Sequence, residues 1–315
     1  MRNYFTAIIF NIIILLVMSP FAAFSEEEKP DAEKKSSPPA VVATIKPIHS
    51  LVSAVMGEIG KPELLIEGQV SEHDYTFKPS DMKKVQSADV VFFTSMDLET
   101  FLVQAIPSLN KGTLAVELAA SDGVTRQAPL DSEFDGHEHG SYDPHIWLSP
   151  ENAIAMVKQI KKILAMKDPK NRGIYEMNAK KYISKISASS EKITLKLSPF
   201  KNVPFISFHD AYGYFVKSYG LNQVAAVSLN PESALGAEKI SDINAVIKRK
   251  HVYCVFADHS YNEDSVKKIL NNPDRVKLAT LDPLGGGLEK GEGAYIAILD
   301  GIANNLLSCF TDENR

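Results

Sequence analysis

The chain has only two cysteines, Cys254 and Cys309, among its 315 residues, so it can close at most one internal disulfide. It also lacks a dominant charge sign: 34 Lys and Arg against 39 Asp and Glu leave a formal net charge of −5. That balance provides no basic footprint, which argues against nucleic acid as a partner. Beyond residue 18 no segment reads as long and apolar enough to cross a membrane. There is no HExxH signature of a helical zinc-hydrolase site and no evident internal repeat. What is present is ordinary globular material, 44% hydrophobic and 23% charged, long enough to bury a large core in two lobes.

The first 25 residues differ in kind. "MRNYF" carries one positive charge, "AIIFNIIILLVM" (7–18) is an apolar run, and "SPFAAFS" (19–25) ends in small residues. This is the layout of a secretory signal peptide cleaved near Ser25, and the run is too short to span a bilayer as a helix. No cysteine lies near the cut, which argues against a lipid anchor there. Next comes "EEEKPDAEKKSSPP" (26–39), nearly all charge, proline and serine, a flexible leader that buries nothing. In an oxidising compartment, an even pair of cysteines points to a Cys254–Cys309 bridge; the alternative is two buried free thiols.

From residue 40 onward, apolar runs alternate with helical patterns. "AVVATI" (40–45), "PELLIEG" (62–68), "ADVVFFTS" (88–95) and "GTLAVEL" (112–118) read as strands. Helices fit after Pro47 and over 79–87, 97–106 and 151–165. A second series follows, with strands at 202–208, 221–228, 251–257 and 275–281 and helices at 210–219, 237–250, 262–271 and 292–308. Near-continuous apolar strands separated by helices indicate parallel sheets covered on both faces. The fold class expected is therefore α/β, with two lobes at 40–168 and 200–315. Between them, 169–199 reads as one stiff helix, with Tyr175, Ala179, Tyr182 and Ile186 at helical spacing. Its ~28 residues reach ~42 Å, enough to run along both lobes and restrict hinge motion.

Ligands of open α/β sheets bind outside the carboxyl ends of the strands. Polar residues that follow strands are His73 in "SEHDY", His209 in "FHDAYGYF" and Asp282 in "LDPLGGG"; His145 lies in "DPHIWLSP", on the turn before a helix. Three imidazoles and one carboxylate suit a tetrahedral zinc site in the cleft between the lobes. Each histidine has a neighbouring carboxylate (Glu72 and Asp74, Asp143, Asp210) able to accept the second imidazole proton, or, as for Asp210, to cap a helix. His49, His251 and His259 read as structural, and Trp147 as apolar packing beneath the site.

"EHDYTFKPSD", "DPHIWLSP", "FHDAYGYF" and "TLDPLGGG", in that order, resemble the zinc-specific periplasmic solute-binding proteins of ABC importers, the metal-binding cluster A-I family. The resemblance runs from about residue 40 to the end. It implies two α/β lobes bridged by a long helix, with one tight zinc site between them. His73, His145 and His209 match the family's histidine ligands, and Asp282 matches the acidic residue completing the site in many members. Glu72 rivals it for the fourth place, as does a water molecule. Manganese-specific relatives usually carry a carboxylate where His209 stands, so the resemblance implies zinc. "EFDGHEHGSYDPH" (133–145) stands where many members carry a longer histidine-rich loop; His137 and His139 are candidates for weak secondary metal capture. Similar proteins also pair a strand with the last helix through Cys254 and Cys309. The function implied is capture of a divalent metal ion in the periplasm and delivery to an inner-membrane permease, by a monomer that is not an enzyme. Manganese import, a zinc hydrolase and a metal-dependent adhesin are the alternatives.

Overall fold

Apolar runs with charge confined to their ends set the strands of both lobes. The structure, a computed structural model, describes residues 37–68, 70–73, 75–130, 142–228, 236–258, 266–267, 269–271 and 275–313. The expected signal peptide, most of the expected leader, Asp74, His137, His139, His259 and half of the expected 262–271 helix lie outside these residues.

In the first lobe, β1 (Val41–Ala43), α1 (Lys46–Met56), β2 (Glu63–Leu64), α2 (Pro79–Ser87), β3 (Val90–Phe93), α3 (Leu102–Ala105) and β4 (Leu114–Glu117) build a parallel sheet of order β2-β1-β3-β4. Helix α4 (Pro150–Lys167) leads to the long α5 (Arg172–Leu197). The second lobe contains β5 (Pro204–His209), α6 (Gly213–Tyr219), β6 (Asn222–Ser228), α7 (Ala237–Lys250), β7 (Cys254–Asp258), β8 (Lys277–Leu281) and α8 (Ala294–Glu313). Its sheet is again parallel, in the order β6-β5-β7-β8. Strands β1 and β3 are buried along their whole length, the mark of a sheet covered on both faces.

Helix α5 has 26 residues, about 39 Å at 1.5 Å per residue, with a 3-10 turn at each end. Tyr175, Ala179, Tyr182 and Ile186 are buried along it, and Ile193 and Leu197 continue the stripe. One core cluster takes residues from both lobes and from α5, so the helix stands on a shared apolar base.

Two expectations change. The helix expected over 97–106 is helical only at α3, followed by a 3-10 turn over Ile106–Ser108. Upstream, Glu99 holds the chain in a turn: its carboxylate accepts from Thr44 Oγ1 at 2.5 Å, Thr94 N at 3.0 Å and Ser95 N at 2.9 Å. Burial pushes Glu99 up to about 7, against the pull of those donors. The second change is α8, which over Ala294–Asp312 is long and apolar enough by composition to cross a membrane. Half of it is buried, with Tyr295, Leu299, Ala303 and Phe310 packed in the shared core, so its apolarity serves packing.

Cys254 on β7 and Cys309 on α8 form a disulfide with a Cα–Cα separation of 6.0 Å, and no described cysteine is free. The bridge spans 55 residues, and in the chain-entropy account closing such a loop stabilises the fold by about 4 kcal/mol. The Cys254→Ala/Cys309→Ala protein is expected to lose about 2–4 kcal/mol in denaturant unfolding; an unchanged midpoint and slope would contradict this.

Candidate metal centre

His73 and Glu72 follow β2, where Leu65 N and Ile66 N still bond to the carbonyls of Ala43 and Thr44 at 2.9 Å. The chain after them is tied to α2: Asp81 Oδ2 accepts from Lys78 N and from Tyr75 Oη, both at 2.8 Å. The helix-starting "KPSD" thus fixes the exit of the segment bearing His73. His145 sits before a 3-10 turn, Ile146–Leu148, and Ser149 caps α4 by accepting from Asn152 N at 3.1 Å. His209 is the last residue of β5, in the other lobe.

These segments converge. Glu72, His73, His145 and His209 each present one ligand atom, all within 4.8 Å of one another. The ring centroids lie 5.4 Å apart for His73–His145 and for His73–His209, and 4.8 Å apart for His145–His209. Glu72 Oε1 is 3.6 Å from His145 Nε2 and 3.9 Å from His73 Nε2. A tetrahedral zinc ion with ligand bonds of about 2.0–2.1 Å has ligand atoms about 3.4 Å apart, so a slight contraction fits one ion. His145, His209 and Glu72 are buried, and the His73 side chain is 15% exposed. Yet Glu72 Oε1 and the Nε2 atoms of His73, His145 and His209 have no hydrogen-bond partner. Buried polar atoms without partners are costly, and four facing one point fit a cation.

The opposite ring nitrogens are anchored. His145 Nδ1 lies 2.8 Å from Asp143 Oδ1, which also accepts His145 N at 2.9 Å. His209 Nδ1 lies 2.9 Å from Asp258 Oδ2. Such carboxylates hold the Nδ1 proton, turn the ring and leave Nε2 as the donor to a metal. Trp147 is fully buried with its ring 5.2 Å from that of His145, and its Nε1 donates to Pro283 O at 2.9 Å across the lobes.

Protonation follows from these partners. Burial acts hardest on His145 and lowers it, but Asp143 and Glu72 together outweigh burial and raise it to about 10. Burial holds His73 down at about 3, against the pull of Glu72. Burial pushes Glu72 up, yet His145 and the two other imidazoles bring it to about 2. Without a metal the centre thus holds an ionised Glu72, a neutral His73 and a protonated His145.

The structure brings His73, His145 and His209 together with Glu72, and Asp282 is not part of this cluster. The Asp282 carboxylate accepts instead from the backbone N–H groups of Leu284, Gly285 and Gly286. Asp210 is neither the ring partner of His209 nor the cap of α6. Its Oδ2 accepts from Leu130 N at 3.2 Å, and α6 starts with no side-chain cap at Tyr212. The ring partner, Asp258, lies 49 residues from His209 in sequence. It is reached through the β5–β7 register that sets Ser207 opposite Phe256. His49 is bound to Pro62 O at 3.1 Å, and His251 ends α7 with φ of 52°, both structural positions. His137 and His139 lie outside the described residues.

Comparison with known proteins gives a consistent answer. The family model described as zinc-uptake complex component A, periplasmic, matches residues 41–309. A high-affinity zinc uptake system protein ZnuA from Brucella suis biovar 1 is 34% identical over 306 residues, covering 86% of this chain and 91% of the relative. The protein of the same name from Paracoccus denitrificans is 30% identical, covering 86% and 91%. A crystal structure of ZnuA superposes with a TM-score of 0.73 at 22% identity, covering 86% of this chain and 98% of the other.

His145→Ala is expected to weaken zinc binding more than Asp258→Ala, which should cost about 10–100-fold as the loss of a ring anchor does. Competitive calorimetry with a chelator measures both, and unchanged affinity in either variant would contradict its assigned role.

Proposed function

The chain belongs to the periplasmic zinc-uptake complex component A family, and from that premise we propose that it captures Zn²⁺ through His73, His145, His209 and Glu72. It then delivers the ion to the permease of an ABC importer in the inner membrane. The observation that carries this reading is the convergence of four buried, partnerless polar atoms, contributed by both lobes, on one point.

The donor set favours zinc. Three imidazole nitrogens and one carboxylate suit an ion that accepts four ligands, whereas manganese prefers carboxylate, carbonyl and water oxygens and more of them. Copper and nickel also bind imidazole, so selection among these rests on geometry and supply. Burial of the set supports transport over hydrolysis, because a hydrolytic zinc needs an open position for water and a substrate beside it. We read the protein as a monomer without catalytic activity, exported by the signal peptide that ends near Ser25.

Capture and release are coupled to protons. At pH 7 the metal-free His145 holds a proton between Asp143 and Glu72, and the incoming ion displaces it from Nε2. About one proton is therefore expected to leave per zinc bound, and affinity should fall about tenfold per pH unit on acidification. Calorimetry in buffers of different ionisation enthalpy, with zinc and with manganese, tests both points. The reading expects buffer-dependent heats and tighter zinc; buffer-independent heats or equal affinity for the two metals would contradict it.

A further inference from the structure

Asp282 is not among the residues that converge at the metal centre. It follows Leu281, which pairs with Asp258, the anchor of His209, so it sits at the same end of the second sheet. Its Oδ1 accepts from Leu284 N at 3.1 Å and Gly285 N at 2.7 Å, and its Oδ2 from Gly286 N at 2.7 Å. On the other side of this loop lies Lys46, the first residue of α1 in the opposite lobe and itself buried. Its Nζ donates to the carbonyls of Gly285 at 2.5 Å, Gly286 at 2.9 Å and Leu288 at 2.7 Å.

The carbonyl of Gly285 and the N–H of Gly286 belong to one peptide unit and point in opposite directions. That unit has its oxygen on the ammonium and its nitrogen on the carboxylate, so its dipole lies aligned between two opposite charges. Gly285 allows this with φ of +67°; a Cβ there would meet Ile298 Cγ1 at 2.6 Å. Trp147 Nε1 fastens the same loop through Pro283 O.

We propose that Lys46 is a specificity-determining residue: by clamping the 285–288 backbone it keeps the Asp282 carboxylate turned into its own loop and out of the coordination sphere. This rests on the ligand set His73, His145, His209 and Glu72 proposed above. A second carboxylate oxygen at the ion would raise the coordination number and harden the donor set, which favours manganese relative to zinc. With Lys46 in place, Glu72 is the one carboxylate among the described residues that joins the three imidazoles. Lys46 touches no metal and acts through the loop it positions.

The test compares wild type, Lys46→Met, Asp282→Asn and the double variant by competition titration with zinc and manganese, together with cobalt(II) absorption spectra. In Lys46→Met, manganese affinity is expected to rise about tenfold or more relative to zinc. The cobalt bands are expected to weaken as coordination increases, and Asp282→Asn should reverse both changes in the double variant. Unchanged metal preference and cobalt spectrum in a folded Lys46→Met overturn the inference and leave the metal centre standing. A wild-type cobalt spectrum that is not four-coordinate overturns the ligand set and this inference with it. Should Lys46→Met fail to fold by circular dichroism, Asp282→Asn alone decides. Zinc affinity within about threefold of wild type supports the inference, and a loss beyond about tenfold, as for a missing ligand or its anchor, overturns it.

Discussion

A buried ring nitrogen or carboxylate oxygen without a partner costs on the order of 1–3 kcal/mol, more when charged. This protein places four of them against one another, on Glu72, His73, His145 and His209. Ordinary packing would remove that cost by turning a ring or admitting a donor. Here the rings are held from behind: Asp143 grips His145 and Asp258 grips His209, each by Nδ1 at under 3 Å. The fold thus holds four polar atoms without hydrogen-bond partners around one point, and a divalent cation that displaces the His145 proton satisfies them.

Holding that point requires the two lobes to keep their places, since His209 comes from one and the other three groups from the other. Several polar fasteners cross between them. Tyr295 N donates to Ser50 Oγ at 2.9 Å, Tyr182 Oη of α5 ties that helix to the second lobe through Glu292 O at 2.6 Å, and Tyr214 Oη donates to Asp143 O at 2.8 Å. The last contact is direct: a tyrosine of α6 positions the backbone of the residue that anchors His145. Helix α5 runs beneath with its apolar stripe in the common core, and the disulfide ties β7, which ends at Asp258, to α8. Each device limits relative motion, which suits a carrier that recognises an ion by a fixed arrangement of donors.

Much of this was legible in the sequence because it is local. Apolar runs with charge confined to their ends marked both parallel sheets, and four residues at helical spacing marked α5. Histidines placed after strands or before a helix, within recognisable motifs, gave three corners of the centre. What stayed hidden depends on distant contacts. Asp258 sits at the end of a strand without any local sign that it faces His209, while Asp210, adjacent in sequence, points elsewhere. Lys46 bonds the carbonyls of a loop more than two hundred residues away, whose N–H groups hold Asp282. The expected 97–106 helix was shortened by Glu99, whose carboxylate found better donors in the turn before it than in solvent.

X-ray absorption at the zinc edge of the loaded protein tests the central claim most directly. The account expects a first shell of nitrogen and oxygen at about 2.0–2.1 Å, with imidazole scattering from three rings and no sulfur. A shell with fewer than three imidazoles, or one dominated by carboxylate and water oxygens, would contradict it.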